Sequence, residues 1–161
     1  MIKCLRLFTI VWVMLVSNAT FSQSVAQDKM GKLKFMVGEW IGTTTVLEEG
    51  VVTKKGSAFQ RISYDLEGHL IVIELNSEFL QLLTVIYYDE EDKTYYYQPY
   101  SKNGSNRYKA IYQNGEFIVH PSDDYRFIFS SPANDHFREY GEQYKNGEWI
   151  KTFEDNFTNS K

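Results

Sequence analysis

Beyond Gly38 apolar and polar residues alternate with a period of two, the spacing that sends successive side chains to opposite faces of a β-strand. Trp40, Gly42, Thr44 and Val46 share one face of a first strand; Ile41, Thr43, Thr45 and Leu47 share the other. The same alternation predicts a strand over 51–65, interrupted at Gly56, and further strands over 69–76, 80–88, 94–100, 106–112, 116–120, 125–130, 136–144 and 148–157. Short polar turns separate them. Asn114-Gly115 and Asn146-Gly147 are the strongest hairpin signals, because both residue types tolerate the positive φ that a tight two-residue turn requires. Ahead of the strands the pattern is different. Leu33, Met36 and Val37 fall on one helical face, so 30–37 is predicted to form one or two helical turns that end at Gly38. Residues 24–30 are polar and read as loose.

About ten antiparallel strands with short connections, and no helix long enough for a βαβ crossover, define an all-β chain. An uninterrupted meander reads as a single antiparallel up-and-down β-barrel over 23–161, with the helical turn of 30–37 across one end. A two-sheet sandwich is the alternative. Closure is physically attractive because it removes the exposed strand edges of an open sheet.

The first 22 residues follow another logic. Lys3 and Arg6 precede an apolar run over 7–16, and Ser17-Asn18-Ala19 supplies small residues after it. A run of about ten apolar residues is half of the ~20 needed to span a bilayer. Charge, short apolar core and small residues in that order predict a secretory signal peptide over 1–22, cleaved after Ala19 or Ser22. The protein is therefore expected to be exported, periplasmic or secreted, without a membrane span. Cys4, the only cysteine, lies ahead of the apolar run, so no disulfide or thiol chemistry is expected after cleavage. Losing Lys3 and Arg6 takes the formal net charge from −4 to −6. That balance argues against nonspecific nucleic-acid binding.

At Leu33-Lys34-Phe35-Met36-Val37-Gly38-Glu39-Trp40-Ile41-Gly42 the chain resembles the bacterial lipocalin-like family called domain of unknown function 1579. Phe127-Ile128-Phe129-Ser130-Ser131-Pro132, Arg138-Glu139-Tyr140 and Asn146-Gly147-Glu148-Trp149 are similar to the closing strands of that family, so the resemblance runs over 28–157. It implies a barrel related in shape to lipocalins and fatty-acid-binding proteins, and no established reaction. Nitrobindin, a distant haem-binding relative, opens its barrel with Gly-x-Trp-x-Gly-x-Gly. Gly38, Trp40 and Gly42 match it, but Thr44 stands in place of the last glycine. Neither His120 nor His136 lies in the context of that relative's iron ligand. Haem, or any other cofactor, is not expected.

Little else in the chain suggests chemistry. His69, His120 and His136 follow no metal-ligand spacing. Asp89-Glu90-Glu91-Asp92 is too short a turn to wrap calcium. No Gly-x-Ser-x-Gly elbow is present. Glu74 and Glu154 are possible paired carboxylates only if both face one lumen, so no catalytic residue is assigned. Twelve Tyr and eleven Phe suit strand packing and also the walls of a ligand cavity. Arg61, Arg126 and Arg138 lie within strands, each available to a carboxylate-bearing ligand if its face is the inner one, and otherwise ordinary surface charges. On the last strand Trp149, Phe153 and Phe157 share a face with Lys151 and Asp155, which suits a partly polar, wet lumen.

Together these features predict an exported binding protein for a small amphipathic molecule, with Trp40, Arg61, Tyr88, Tyr96, Arg126 and Arg138 as candidate ligand contacts. The alternative is a structural module that meets a protein or glycan partner and whose barrel is filled by its own side chains.

Overall fold

The alternating segments pair in sequence order. The computed structural model describes residues 24–161; the signal peptide expected over 1–22 lies outside them. The strands are β1 (Gly38–Glu48), β2 (Val51–Asp65), β3 (Leu70–Ser77), β4 (Gln81–Asp89), β5 (Thr94–Ser101), β6 (Gly104–Ser105), β7 (Tyr108–Gln113), β8 (Glu116–Ser122), β9 (Tyr125–Ser130), β10 (His136–Lys145) and β11 (Glu148–Asn159). Each pairs antiparallel with its neighbours, β11 returns to β1, and β4 pairs with β5. Ten strands therefore close into an up-and-down barrel, with the two-residue β6 appended to β5. The sandwich alternative is excluded by this closure. β2 runs unbroken through Gly56.

Closure brings β1 and β11 very close. Asn156 and Phe157 pass Gly42 so tightly that a Cβ on Gly42 would stand 1.9 Å from the Asn156 carbonyl oxygen. A side chain is therefore excluded where the barrel shuts. At Asn114-Gly115 and Asn146-Gly147 all four residues have positive φ, as the hairpin signal requires.

The N-terminal plug begins earlier than expected. Residues 24–30 are not loose: Val25–Gly31 form a helix, α1, continued by a 3₁₀ turn over Lys32–Met36. The reason is a capping box. The Ser24 hydroxyl accepts from the Gln27 N–H, and the Gln27 side chain accepts from the Ser24 N–H. Met30, Leu33 and Met36 point into the barrel end and are fully buried. Backbone N–H groups at the C-cap already bond Lys29 O and Met30 O, and barrel side chains add donors to the carbonyls at the end of the plug. Tyr95 donates to Lys29 O (2.8 Å), Tyr64 to Met30 O (3.0 Å) and the Trp40 indole to Met36 O (2.8 Å). The acidic turn helps at the other end of α1, where Glu90 Oε1 accepts from the Ala26 N–H at 2.9 Å.

An aromatic column rises from this plug along the lumen. Trp40 packs on Phe137, Phe137 on Phe129 and Phe157, and Phe129 on Phe117 and Tyr97. The half of the barrel nearest α1 is filled in this way.

Candidate functional site

Above the column the packing stops. The other half of the lumen holds a cavity of about 460 Å³, walled by Leu75, Leu82, Tyr97, Phe127 and Phe153 among others. Its mouth lies between the β3–β4 connection, where Phe79 and Leu80 are exposed, and the end of β5 at Ser101. Strand alternation puts these residues inside. Leu75 continues the buried face of Ile71 and Ile73; Tyr97 continues that of Tyr95; Phe127 that of Phe129.

The wall also carries an acidic row. Thr44, Asp155 and Glu139 stand directly opposite one another across β1, β11 and β10. All three are buried and all line the cavity. Gln60, fully buried on β2, donates its Nε2 to Glu139 in a long hydrogen bond of 3.5 Å. Gln60 Oε1 and Asp155 Oδ1 meet no protein partner. Burial favours the neutral form of a carboxyl. It raises Glu139 to about 8, with the Asp155 charge adding to the effect and the Gln60 bond opposing it. Burial raises Asp155 to about 6 against the pull of the Thr44 hydroxyl. Burial also pushes the Tyr97 hydroxyl far above the usual phenol range, reinforced by Glu139. At neutral pH the row is therefore a partly protonated carboxyl pair with unused acceptors, set in an aromatic wall.

The residues singled out from the sequence lie elsewhere. Trp40 faces inward, but in the filled half: it is 4% exposed, against Phe137 and the plug. Tyr88 lies beneath α1, with its ring against Tyr95 and the Lys29 ammonium over it. Tyr96 faces out, covered by the Arg107 guanidinium at 4.4 Å and bonded to Asp92. Arg61 pairs with Glu74 at 2.6 Å on the outer surface. Arg126 pairs with Glu142 at 2.6 Å and lies over Trp149. Arg138 pairs with Glu154 at 3.0 Å and lies over Tyr140. Because Phe127, Phe137 and Glu139 take the inner face, alternation turns Arg126 and Arg138 outward. Among the described residues no strand arginine reaches the lumen, so the guanidinium expected there is replaced by acid. Glu74 and Glu154 are both outside, in these ion pairs, and are not the facing carboxylates.

The last hairpin needs one further correction. Trp149 does not share the face of Phe153. A β-bulge between Gly141 and Glu142 shifts the register, so that Glu142 opposes Lys151 while Gly141 opposes Phe153. Trp149 and Lys151 are thereby outside, over Arg126 and Tyr140. Phe153, Asp155 and Phe157 are inside. The mixed character of this strand reflects the bulge, which also decides that Glu139 meets Asp155.

Among the described residues no group of three or more His, Cys, Asp or Glu side chains converges to hold a metal ion, and no helix is long and apolar enough to cross a membrane. Compared with known proteins, the chain matches no family model and no curated protein.

Proposed function

We propose that the protein is an exported binding protein for a small amphipathic molecule, held in the open half of the barrel. The apolar part of the ligand lies against Tyr97, Phe127 and Phe153, and its polar end meets the Thr44–Asp155–Glu139 row. The observation that carries this reading is the cavity. At about 460 Å³ it falls within the roughly 300–1,000 Å³ of small-molecule sites, which combine apolar walls with a few converging polar groups. The walls supply most of the affinity, at about 25 cal/mol for each Å² of apolar surface buried. Export is supported by the charged start, short apolar run and small residues of 1–22. The likeness of Gly38-Glu39-Trp40 and its surroundings to a bacterial lipocalin-like family fits the same reading. The filled-module alternative describes only the half of the lumen next to α1.

A fluorescent apolar probe tests the proposal. N-phenyl-1-naphthylamine, uncharged at neutral pH, is expected to bind one-to-one with a saturable rise in emission. Val46→Trp places an indole in the cavity wall and is expected to abolish that rise while the protein still melts cooperatively. Absence of saturable binding, or equal binding by the folded variant, would contradict the proposal.

A further inference from the structure

We propose that the ligand of this lumen is a cation, an amphipathic molecule with a primary or secondary ammonium group seated at Glu139 and Asp155. The inference rests on the binding reading above and names the chemistry of the ligand's polar end.

Three observations carry it. First, Glu139 and Asp155 stand directly opposite each other, 7% and 4% exposed, in the wall of the cavity. Like charges directly opposite destabilise a sheet, and buried carboxylates persist only when something compensates them. Second, the described residues provide no cation for them. Among the described residues that line the cavity there is no Lys, Arg or His, and the arginines nearest in sequence, Arg126 and Arg138, are paired outside with Glu142 and Glu154. Third, Asp155 Oδ1 is buried without a protein donor. An unpaired acceptor on a side chain that lines the cavity fits a ligand N–H.

An ammonium answers all three. It supplies positive charge and donors to both carboxylates as charge-assisted hydrogen bonds. Its carbon atoms meet Phe127 and Phe153, and its charge is attracted to ring faces such as that of Tyr97. A carboxylate ligand would instead meet two acids. A quaternary ammonium has charge but no donor. The groups facing the pair are Thr44 from β1, Gln60 from β2, Tyr97 from β5 and Tyr108 from β7, with Glu154 on the outer side of β11; none of them is a base. Seating an ammonium ionises the pair and releases its proton to solvent, so affinity rises with pH between about 6 and 8.

The experiment compares four probes of one chain length on the purified protein by calorimetry at pH 8: octylamine, 1-octanol, octanoate and octyltrimethylammonium. Octylamine is expected to bind about tenfold or more tighter than 1-octanol, with octanoate weakest and octyltrimethylammonium below octylamine. In Glu139→Gln and Asp155→Asn, verified as folded by near-ultraviolet circular dichroism, the ratio of amine to alcohol affinity is expected to fall towards one. Equal affinity for octylamine and 1-octanol in the unmodified protein would overturn the ammonium assignment and leave the binding reading standing. An unchanged ratio in both variants would overturn it equally. Binding of none of the four would remove the binding reading, and the assignment with it.

Discussion

Glu139 faces the lumen with little around it to compensate a charge. It is fully inside an aromatic wall, beside a second acid, with one long hydrogen bond. Its carboxyl is raised to about 8, so the folded protein holds a proton that the unfolded chain releases near pH 4.5. Stability from this group is therefore fully present below about pH 4.5 and is lost as pH rises towards 8, at up to about 1.4 kcal/mol for each pH unit. Asp155 adds a similar loss that ends near pH 6. Glu139→Gln has no proton to lose in that window. Urea unfolding at pH 5 and pH 8 is expected to show a fall in stability for the unmodified protein and at most half that fall for the variant. Equal falls would contradict the burial described. None of this was legible from composition or spacing. Glu139 is embedded in Arg138-Glu139-Tyr140, where every residue is a plausible surface residue, and only the barrel's choice of inner face separates it from Arg138.

At the scale of elements, the strands and their order were legible because period-two alternation and Asn-Gly turns are local signals. What was not legible follows from non-local pairing. The Asn146-Gly147 turn alone would continue its register so that Glu139 met Glu154. The bulge beside Gly141 moves the partner to Asp155 and turns Trp149 and Lys151 outward. A one-residue slip exchanges the two faces of a strand, so the bulge hides the site from a count of alternating positions; its mark in the sequence is Gly141, where a Cβ would stand 2.3 Å from the Phe153 ring. The plug shows the converse. Its apolar face over Leu33, Met36 and Val37 was readable, while its first turn depends on the Ser24–Gln27 capping box. Leu33 is 0% exposed inside the barrel end. Leu33→Ala is expected to cost about 2–5 kcal/mol in denaturant unfolding. Amine or probe binding at the far end should remain within a few fold, because the aromatic column separates the two regions. A loss below 1 kcal/mol would mean that the plug does not seal the core as described.

The whole molecule divides along the barrel axis. One half is closed by α1 and filled by the packed rings of Trp40, Phe137, Phe129 and Phe117; the other opens between the β3–β4 connection and the end of β5. Cations are paired on the outer surface of β2, β9 and β10, while the lumen keeps two acids. The most direct measurement is a two-dimensional amide NMR titration of the protein with octylamine. Saturable shifts are predicted at Thr44, Val46, Leu75, Leu82, Phe153 and Asp155, with α1 and the outer ion pairs unmoved. Shifts confined to the outer face or to α1, or no saturable shift, would contradict a ligand site in the open half of the barrel.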